Sequence, residues 1–216
     1  MRERQAVGGN AAEYEGVVVI TLVDYRAGNL ASVRKAFEHL GCEVQITEDP
    51  EAVRRAKHLV VPGVGHFAAT EQLTHAGLRD AIKEAIGQGA NFLGICVGMQ
   101  WMFEGSAESP EVRGLGVLRG MIEKFPAGAK VPHVGWNQVE CRGESRILNG
   151  VESPSFVYYT HSYRAPLVPE TVGVSEYGTE FSGVVEKGNL FGIQFHPEKS
   201  GAAGLKMLEN FARLAC

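Results

Sequence analysis

Apolar runs alternate with segments of helical periodicity through the first half of the chain. Three unbroken apolar runs, at 17–24, 58–63 and 90–96, are typical of strands buried on both faces of a sheet. A shorter strand is predicted at 43–47. Helical spacing of apolar residues, often closed by glycine, predicts the helices that connect or follow these strands: one from Asn29 to Leu40, and others at 51–57, 77–87 and 97–105.

This order of elements predicts a parallel sheet with helices on both faces, in which ligands gather at the carboxyl ends of the strands. From about 113 to 196 the pattern changes to short strands broken by glycine and proline, which indicates antiparallel pairs attached to the sheet. A last amphipathic helix is expected at about 201–214. The predicted fold class is therefore α/β, a mostly parallel central sheet flanked by helices, with an added antiparallel β portion in the C-terminal half.

Composition and charge exclude several classes of protein. The 216 residues carry 25 acidic and 21 basic side chains, a net charge of −4. A binder of nucleic acid or of anionic membranes needs a basic surface, so neither is expected. No apolar run approaches the roughly 18 residues that a membrane-spanning helix requires. Residues 1–16 are polar and without periodicity, so we expect a flexible tail ahead of one domain at 17–216.

The four cysteines, at 42, 96, 141 and 216, form no CxxC pair and have no metal-ligand spacing. We therefore expect reduced thiols in a cytoplasmic protein, with no metal or other cofactor. Cys96 differs from the others because Gly94 and Gly98 flank it where a buried strand turns into a helix. That is the arrangement of a nucleophile elbow with cysteine in place of serine. The alternative is a small buried cysteine with only a packing role.

A base for this thiol is predicted a hundred residues later, at the end of another apolar run. His196 and Glu198 are two residues apart, so in extended backbone their side chains point the same way and the carboxylate can orient the imidazole. Pro197 restricts the backbone between them. An isolated His-x-Glu is more often a surface pair. The strand-end cysteine favours the catalytic interpretation, because both sites belong to the same edge of one sheet.

A third segment, VVPGVG (60–65), ends the strand that precedes the one leading to Cys96. Its glycines allow a backbone amide to be presented to a ligand, or a peptide to rotate between two orientations. Acyl transfer needs an oxyanion hole of two N–H groups, and the candidates are Val64 in this loop and Val97 after the nucleophile. A plain turn between strand and helix is the alternative.

Together, GICVGMQ (94–100), QFHPEKS (194–200) and VVPGVG resemble the class I, or triad, glutamine amidotransferases. Within that family, DYRAGNL (24–30), PHVGWN (132–137) and YYTHSY (158–163) are most similar to the glutaminase subunits of imidazole glycerol phosphate synthase, an enzyme of histidine biosynthesis. The resemblance covers about residues 17–215. The sequence departs from the family pattern at Arg26 and Thr160, and neither position belongs to the triad.

The resemblance implies that Cys96, His196 and Glu198 hydrolyse glutamine to glutamate and ammonia. It further implies that four residues hold the glutamine: Gln100, Glu108, Ser162 and Tyr163. The expected partner is a (β/α)8-barrel cyclase subunit that receives the ammonia in a heterodimer. The residues that match the partner side of the family are Pro132, His133, Trp136, Asn137 and Lys199. From the pattern alone, an exposed interface tryptophan and a buried core tryptophan are equally compatible with position 136.

Three alternatives remain open from the sequence. The glutaminase subunit of pyridoxal phosphate synthase is also a small chain with a barrel partner, although PHVGWN argues against it. A catalytically silent scaffold would not need the intact triad. A cysteine peptidase would not be expected to place its histidine and glutamate so close together in sequence.

Overall fold

The computed structural model describes residues 17–215. The tail predicted at 1–16 lies outside the described residues, as does Cys216, so the division into tail and domain stays a prediction. Within the described range, no helix has both the length and the apolar character needed to cross a membrane.

Four strands of the N-terminal half and one strand from near the C-terminus form the parallel part of a nine-stranded sheet, in the order β2-β1-β3-β4-β13. These strands are β1 (Val19–Val23), β2 (Glu43–Thr47), β3 (His58–Gly63), β4 (Asn91–Cys96) and β13 (Leu190–Ile193). On β3, Val60 packs into the core on one face while Leu59 and Val61 pack into the core on the other. Burial on both faces explains the unbroken apolar runs, and the predicted parallel sheet is confirmed.

The sheet continues from β13 as an antiparallel extension in the order β12-β11-β8-β9. The strands are β8 (His133–Cys141), β9 (Ser155–His161), β11 (Thr171–Glu176) and β12 (Glu180–Lys187). This is the antiparallel portion expected in the C-terminal half. Because β13 pairs in parallel with β4, the chain that follows β13 returns to the edge where β4 ends.

A second, four-stranded sheet was not predicted. It has the order β10-β7-β5-β6, with strands β5 (Gly105–Ser106), β6 (Ser109–Arg113), β7 (Met121–Lys124) and β10 (Tyr163–Arg164). Two of these strands have only two residues, too few for an alternating pattern to be visible in the sequence. The helix predicted at 97–105 is shorter than expected. It stops at Trp101, and Gly105 belongs to β5 instead.

Helices cover both faces of the large sheet. They are α1 (Leu30–His39), α2 (Pro50–Arg54), α3 (Glu71–His75), α4 (Leu78–Gly87), α5 (Val97–Trp101) and α6 (Gly201–Ala212). The buried sides of α1 and α6 belong to one core cluster, those of α2, α3 and α4 belong to a second cluster, and α5 contributes to both. Helix α3 and the 3-10 turn Phe67–Thr70 before it were missed, because each is too short to show a helical period.

Candidate active site

Cys96 ends β4 in a strained turn that leads directly into α5. Its φ of 55° and ψ of −109° lie outside the regions that non-glycine residues favour. A Cβ atom on Gly98 would lie 1.8 Å from the Val61 carbonyl oxygen. A Cβ atom on Gly94 would lie 2.5 Å from the Gly98 carbonyl oxygen. The two glycines therefore permit the close approach of strand and helix that a nucleophile elbow requires.

His196 and Glu198 follow β13, the neighbour of β4. Nδ1 of His196 lies 2.9 Å from Oε1 of Glu198, and both side chains are buried. Because the carboxylate engages Nδ1, Nε2 is the nitrogen that is left to hydrogen-bond Cys96. The structure thus brings the three residues expected to form a triad into one continuous line of contacts.

The charge of His196 follows from these two partners. Burial by itself lowers the pKa of the imidazole, but hydrogen bonds to Cys96 and Glu198, together with their charges, raise that pKa to about 10. At neutral pH the ring is therefore an imidazolium between two acidic groups. The sulfur atom of Cys96 therefore faces a positively charged hydrogen-bond partner.

Two buried glutamines lie near the nucleophile, and one of them contacts its sulfur atom. Nε2 of Gln194 lies 3.8 Å from Sγ of Cys96, and Oε1 of Gln194 accepts a hydrogen bond of 3.2 Å from Nε2 of Gln100. Gln100 also donates to the Tyr163 carbonyl oxygen over 3.0 Å, so it is not a solvated helix residue. Sequence reasoning assigns no role to Gln194. Its place two residues before His196, on the same side of an extended chain, is the signal that could have found it.

Glu108 and Ser162, also expected to bind glutamine, lie in connections that lead into strands of the small sheet. Glu108 sits in the turn between β5 and β6, where Oε2 accepts a hydrogen bond of 2.7 Å from the Phe67 N–H. Ser162 lies between β9 and β10, and its carbonyl oxygen accepts a 3.3 Å bond from the Phe125 N–H. The unpredicted sheet therefore carries or borders three of the four residues expected to hold the substrate, the third being Tyr163.

The loop after β3 lies beside the elbow, because Gly63 pairs with Cys96 across the β3–β4 ladder. Val64 is partly exposed, and Gly65 has a φ of +97°, which favours glycine. Val97, the second residue expected at the oxyanion hole, is buried at the start of α5. The two valines thus flank the nucleophile on neighbouring segments of the sheet edge.

Comparisons with known proteins agree with this geometry. The family model for class-I glutamine amidotransferases matches residues 21–215. The chain is 45% identical to imidazole glycerol phosphate synthase subunit HisH of Moorella thermoacetica, over 90% of this chain and 94% of that protein. It is 46% identical to HisH of Deinococcus radiodurans, over 90% of this chain and 93% of that protein. The chain belongs to the class-I glutamine amidotransferases, among the HisH subunits.

Solved structures agree at the level of the fold. A glutamine amidotransferase crystal structure superposes with a TM-score of 0.71 at 20% identity, covering 91% of this chain and 100% of the other. The PurLQS structure from Thermotoga maritima gives a TM-score of 0.66 at 18% identity, covering 91% of this chain and 98% of the other. The class I amidotransferase fold expected from the sequence motifs is confirmed.

This amidotransferase exposes an apolar surface on β8 and β9 that we call the β8–β9 face. Trp136 pairs with Tyr158, and alternation along the two strands puts Val134 and Phe156 on the same side. Trp136 is 56% exposed, which decides between the two interpretations of this residue in favour of the surface. Lys199 is also exposed, with Nζ 5.9 Å from the centre of the Tyr158 ring. The β8–β9 face consists of Val134, Trp136, Phe156, Tyr158 and Lys199.

The other residues expected at a partner interface have different surroundings. Pro132 is exposed, and Asn137 is half-buried with Nδ2 donating to the Glu176 carbonyl oxygen over 2.8 Å. His133 is 4% exposed and its ring stacks on that of Tyr177, so its side chain is part of the interior. The expectation of a partner contact by the His133 side chain is corrected accordingly. The reason is the two-residue period of β8, which turns His133 inward and Trp136 outward.

His133 belongs to a buried polar chain in this amidotransferase. Nδ1 of His133 lies 3.0 Å from Nε2 of His161, whose Nδ1 lies 2.9 Å from the Tyr163 carbonyl oxygen. Burial lowers the pKa of His133 to about 4. Burial and the charges of His133 and His196 lower that of His161 to about 3. Both rings are therefore neutral donors and acceptors at neutral pH. Across residues 17–215, no three His, Cys, Asp or Glu side chains cluster as a metal site would require.

Proposed function

We propose that this chain hydrolyses the side-chain amide of glutamine and hands the ammonia to a (β/α)8-barrel cyclase that makes imidazole glycerol phosphate in histidine biosynthesis. The line of contacts from Cys96 through His196 to Glu198 carries the proposal. The named relatives are subunits of imidazole glycerol phosphate synthase, which supports the identity of the partner.

In the first half-reaction, the Cys96 thiolate attacks the amide carbon of glutamine and forms an S–C bond. The carbonyl electron pair moves onto oxygen, giving a tetrahedral oxyanion. Nε2–H of His196 then gives its proton to the amide nitrogen, the C–N bond breaks, and ammonia leaves. The products of this step are a γ-glutamyl thioester and a neutral His196.

In the second half-reaction, neutral His196 accepts a proton from water while the water oxygen bonds to the thioester carbon. Collapse of this second oxyanion breaks the S–C bond and releases glutamate, which restores the thiolate and the imidazolium. Glu198 holds the ring in one orientation throughout.

The oxyanion of each step needs hydrogen-bond donors. In this proposal they are the backbone N–H groups of Val64 and Val97. The Val64 N–H reaches the oxyanion only in one orientation of the Gly63–Val64 peptide. Withholding one such donor costs roughly 3–4 kcal/mol, or about 10²–10³ in rate. If the peptide adopts this orientation only when the partner binds, the glutaminase stays nearly silent until its ammonia can be used. Glutamine itself is held by Gln100, Glu108 and the backbone of the segment 162–163.

The β8–β9 face is the surface proposed for the cyclase. Large aromatic side chains at the centre of an exposed patch are typical anchors of protein interfaces. The face is also close to the chemistry, because the carbonyl oxygen of Thr160, two residues beyond Tyr158 on β9, lies 3.9 Å from Sγ of Cys96. A partner docked on this face can receive ammonia before water protonates it.

Replacement of the nucleophile tests the proposal. In complex with the cyclase, Cys96→Ala should abolish glutamine-dependent product formation, because no thioester can form. Product formation with ammonium salts should survive, since that reaction belongs to the partner. Cys42→Ala, which removes a half-buried thiol elsewhere in the fold, is the matched control and should retain both activities.

The same assay separates the alternatives. Loss of ammonium-dependent turnover in the Cys96→Ala complex would contradict the division of labour between the subunits. Retained glutamine-dependent turnover in the Cys96→Ala complex would show that Cys96 is not the nucleophile, and a wild-type complex without glutamine-dependent stimulation would indicate a catalytically silent scaffold or a peptidase. Stimulation by the barrel subunit of pyridoxal phosphate synthase, and not by the cyclase, would favour the other glutaminase.

A further inference from the structure

Tyr25 buries a hydroxyl group next to the active site without a hydrogen-bond partner. The residue is 3% exposed, and its Oη makes no hydrogen bond to any of the residues described. A buried polar atom of this kind destabilises the protein when it stays unpaired. Such an atom is explained when an acceptor reaches it in another state of the protein.

The local backbone holds this hydroxyl in place. Tyr25 follows β1 in a tight turn, where Oδ1 of Asp24 accepts a hydrogen bond of 2.8 Å from the Arg26 N–H. Arg26 itself has a φ of 64°, the other non-glycine residue besides Cys96 with a positive φ within 17–215. The turn packs on the end of β3, because a Cβ atom on Gly28 would lie 3.1 Å from the Pro62 carbonyl oxygen.

Oη of Tyr25 points at the start of the oxyanion loop. A Cβ atom on Gly63 would lie 2.4 Å from this oxygen and 2.7 Å from Cβ of Val97. Burial and the charge of Cys96 raise the pKa of Tyr25, so the hydroxyl keeps its proton and acts as a donor. The donor therefore lies beside Gly63, where the Gly63–Val64 peptide begins.

We propose that the Tyr25 hydroxyl is a positioning group that donates a hydrogen bond to the Gly63 carbonyl when the Gly63–Val64 peptide rotates into its productive orientation. Rotation about the backbone of Gly63 carries its carbonyl oxygen toward the Tyr25 hydroxyl, which lies beside this residue. In that orientation the Val64 N–H points toward the oxyanion, and the carbonyl gains the donor that otherwise has no acceptor. The orphan hydroxyl thus becomes satisfied only in the active state.

This inference rests on the oxyanion role proposed for Val64. It also gives position 63 a steric requirement: any side chain there would occupy the space of the Tyr25 hydroxyl. A tyrosine at 25 and a glycine at 63 therefore form one functional pair. Tyr25 touches neither bond that breaks, so it acts on the rate only through the loop.

Tyr25→Phe in the complex with the cyclase tests the inference. The variant removes one oxygen and leaves the ring in place, so the unfolding temperature of the glutaminase subunit should stay equal or rise. The stimulated kcat for glutamine should fall about 3–10-fold, the worth of one hydrogen bond in the active state, while KM for glutamine stays unchanged. A purely structural role would lower the unfolding temperature and would not separate kcat from KM.

Tyr159→Phe is the matched control for stability. Its hydroxyl lies 2.5 Å from Oγ of Ser175, so its loss should lower the unfolding temperature, opposite to Tyr25→Phe. An unchanged kcat in Tyr25→Phe, or a fall in kcat with a lower unfolding temperature, would overturn the inference. Cys96→Ala in the same assay keeps this outcome apart from a failure of the proposed function, which would show as surviving glutamine turnover.

Discussion

At the scale of single residues, environment separates the site from identical side chains elsewhere. Burial raises the pKa of the Cys42 thiol and so disfavours its thiolate, whereas Cys96 faces the His196 imidazolium. His161 is buried as well, but there burial and the charges of His133 and His196 lower the pKa and outweigh the hydrogen bond to the Tyr163 carbonyl oxygen, which raises it. The sequence motifs distinguished Cys96 from the other cysteines, and His196 from the other histidines, as the catalytic candidates. The orphan hydroxyl of Tyr25 was beyond prediction, because its neighbours come from other segments.

The orientation of His196 gives the residue-scale prediction. Glu198→Gln keeps the size of the side chain but removes the negative charge that helps to raise the pKa of His196. We expect kcat/KM for glutamine in the cyclase complex to fall about 10²–10⁴-fold, since an amide can hold the wrong tautomer of the ring.

The pH profile gives a second readout of the same variant. A lower pKa for His196 means that the imidazolium is lost at lower pH, so the alkaline limb of the glutaminase profile should move toward neutral pH. Glu111→Gln, an exposed carboxylate on β6, is the control. An alkaline limb that does not move in Glu198→Gln would contradict the assigned role.

At the scale of elements, glycines decide how closely α5 approaches the sheet. Gly94 and Gly98 were predicted from the motif, because small residues around a strand-to-helix nucleophile are a local requirement. The length of α5 was not predictable in the same way. Apolar residues continue past Trp101, but Gly105 belongs to β5, which pairs with β6 and β7. The pattern of apolar residues does not reveal this pairing.

Two glycine-to-alanine changes test this packing. Gly98→Ala would place a methyl group 1.8 Å from the Val61 carbonyl oxygen, so the free energy of unfolding should fall by about 3 kcal/mol or more, with loss of glutaminase activity. Gly87→Ala, at the end of α4, meets no atom within 4 Å and should stabilise by about 0.4–1 kcal/mol. Denaturant titration measures both. Equal effects of the two changes would disprove the packing argument.

At the scale of the whole molecule, the two edges of the large sheet differ. Strand β2 forms one edge and β9 the other, and the nucleophile stands near the middle. The antiparallel strands were predicted as attached pairs. They extend the sheet beyond β13, the strand that His196 follows. Tyr158 of the β8–β9 face therefore lies two residues from Thr160, whose carbonyl oxygen contacts the sulfur atom of Cys96.

Partner binding supplies the prediction at this scale. Trp136→Ala should weaken binding to the cyclase about 30-fold or more, corresponding to about 2 kcal/mol, because a central aromatic anchor is lost. Ile46→Ala, an exposed apolar residue on the opposite edge strand, is the matched control and should leave the Kd unchanged. Calorimetric titration of the two subunits measures both. Equal affinity of the two variants would place the partner elsewhere.

The sequence by itself determined the parallel sheet, its antiparallel extension and which residues are the candidates for the triad. Each of these depends on local information, namely the period of apolar residues and the spacing of a nucleophile, its glycines and its base. Only the tertiary structure decided that Trp136 is outside while His133 is inside, that α5 ends at Trp101, and that Tyr25 stands unpaired beside the oxyanion loop. Burial and hydrogen-bond pairing of these residues depend on segments far away in the chain, which no local pattern contains.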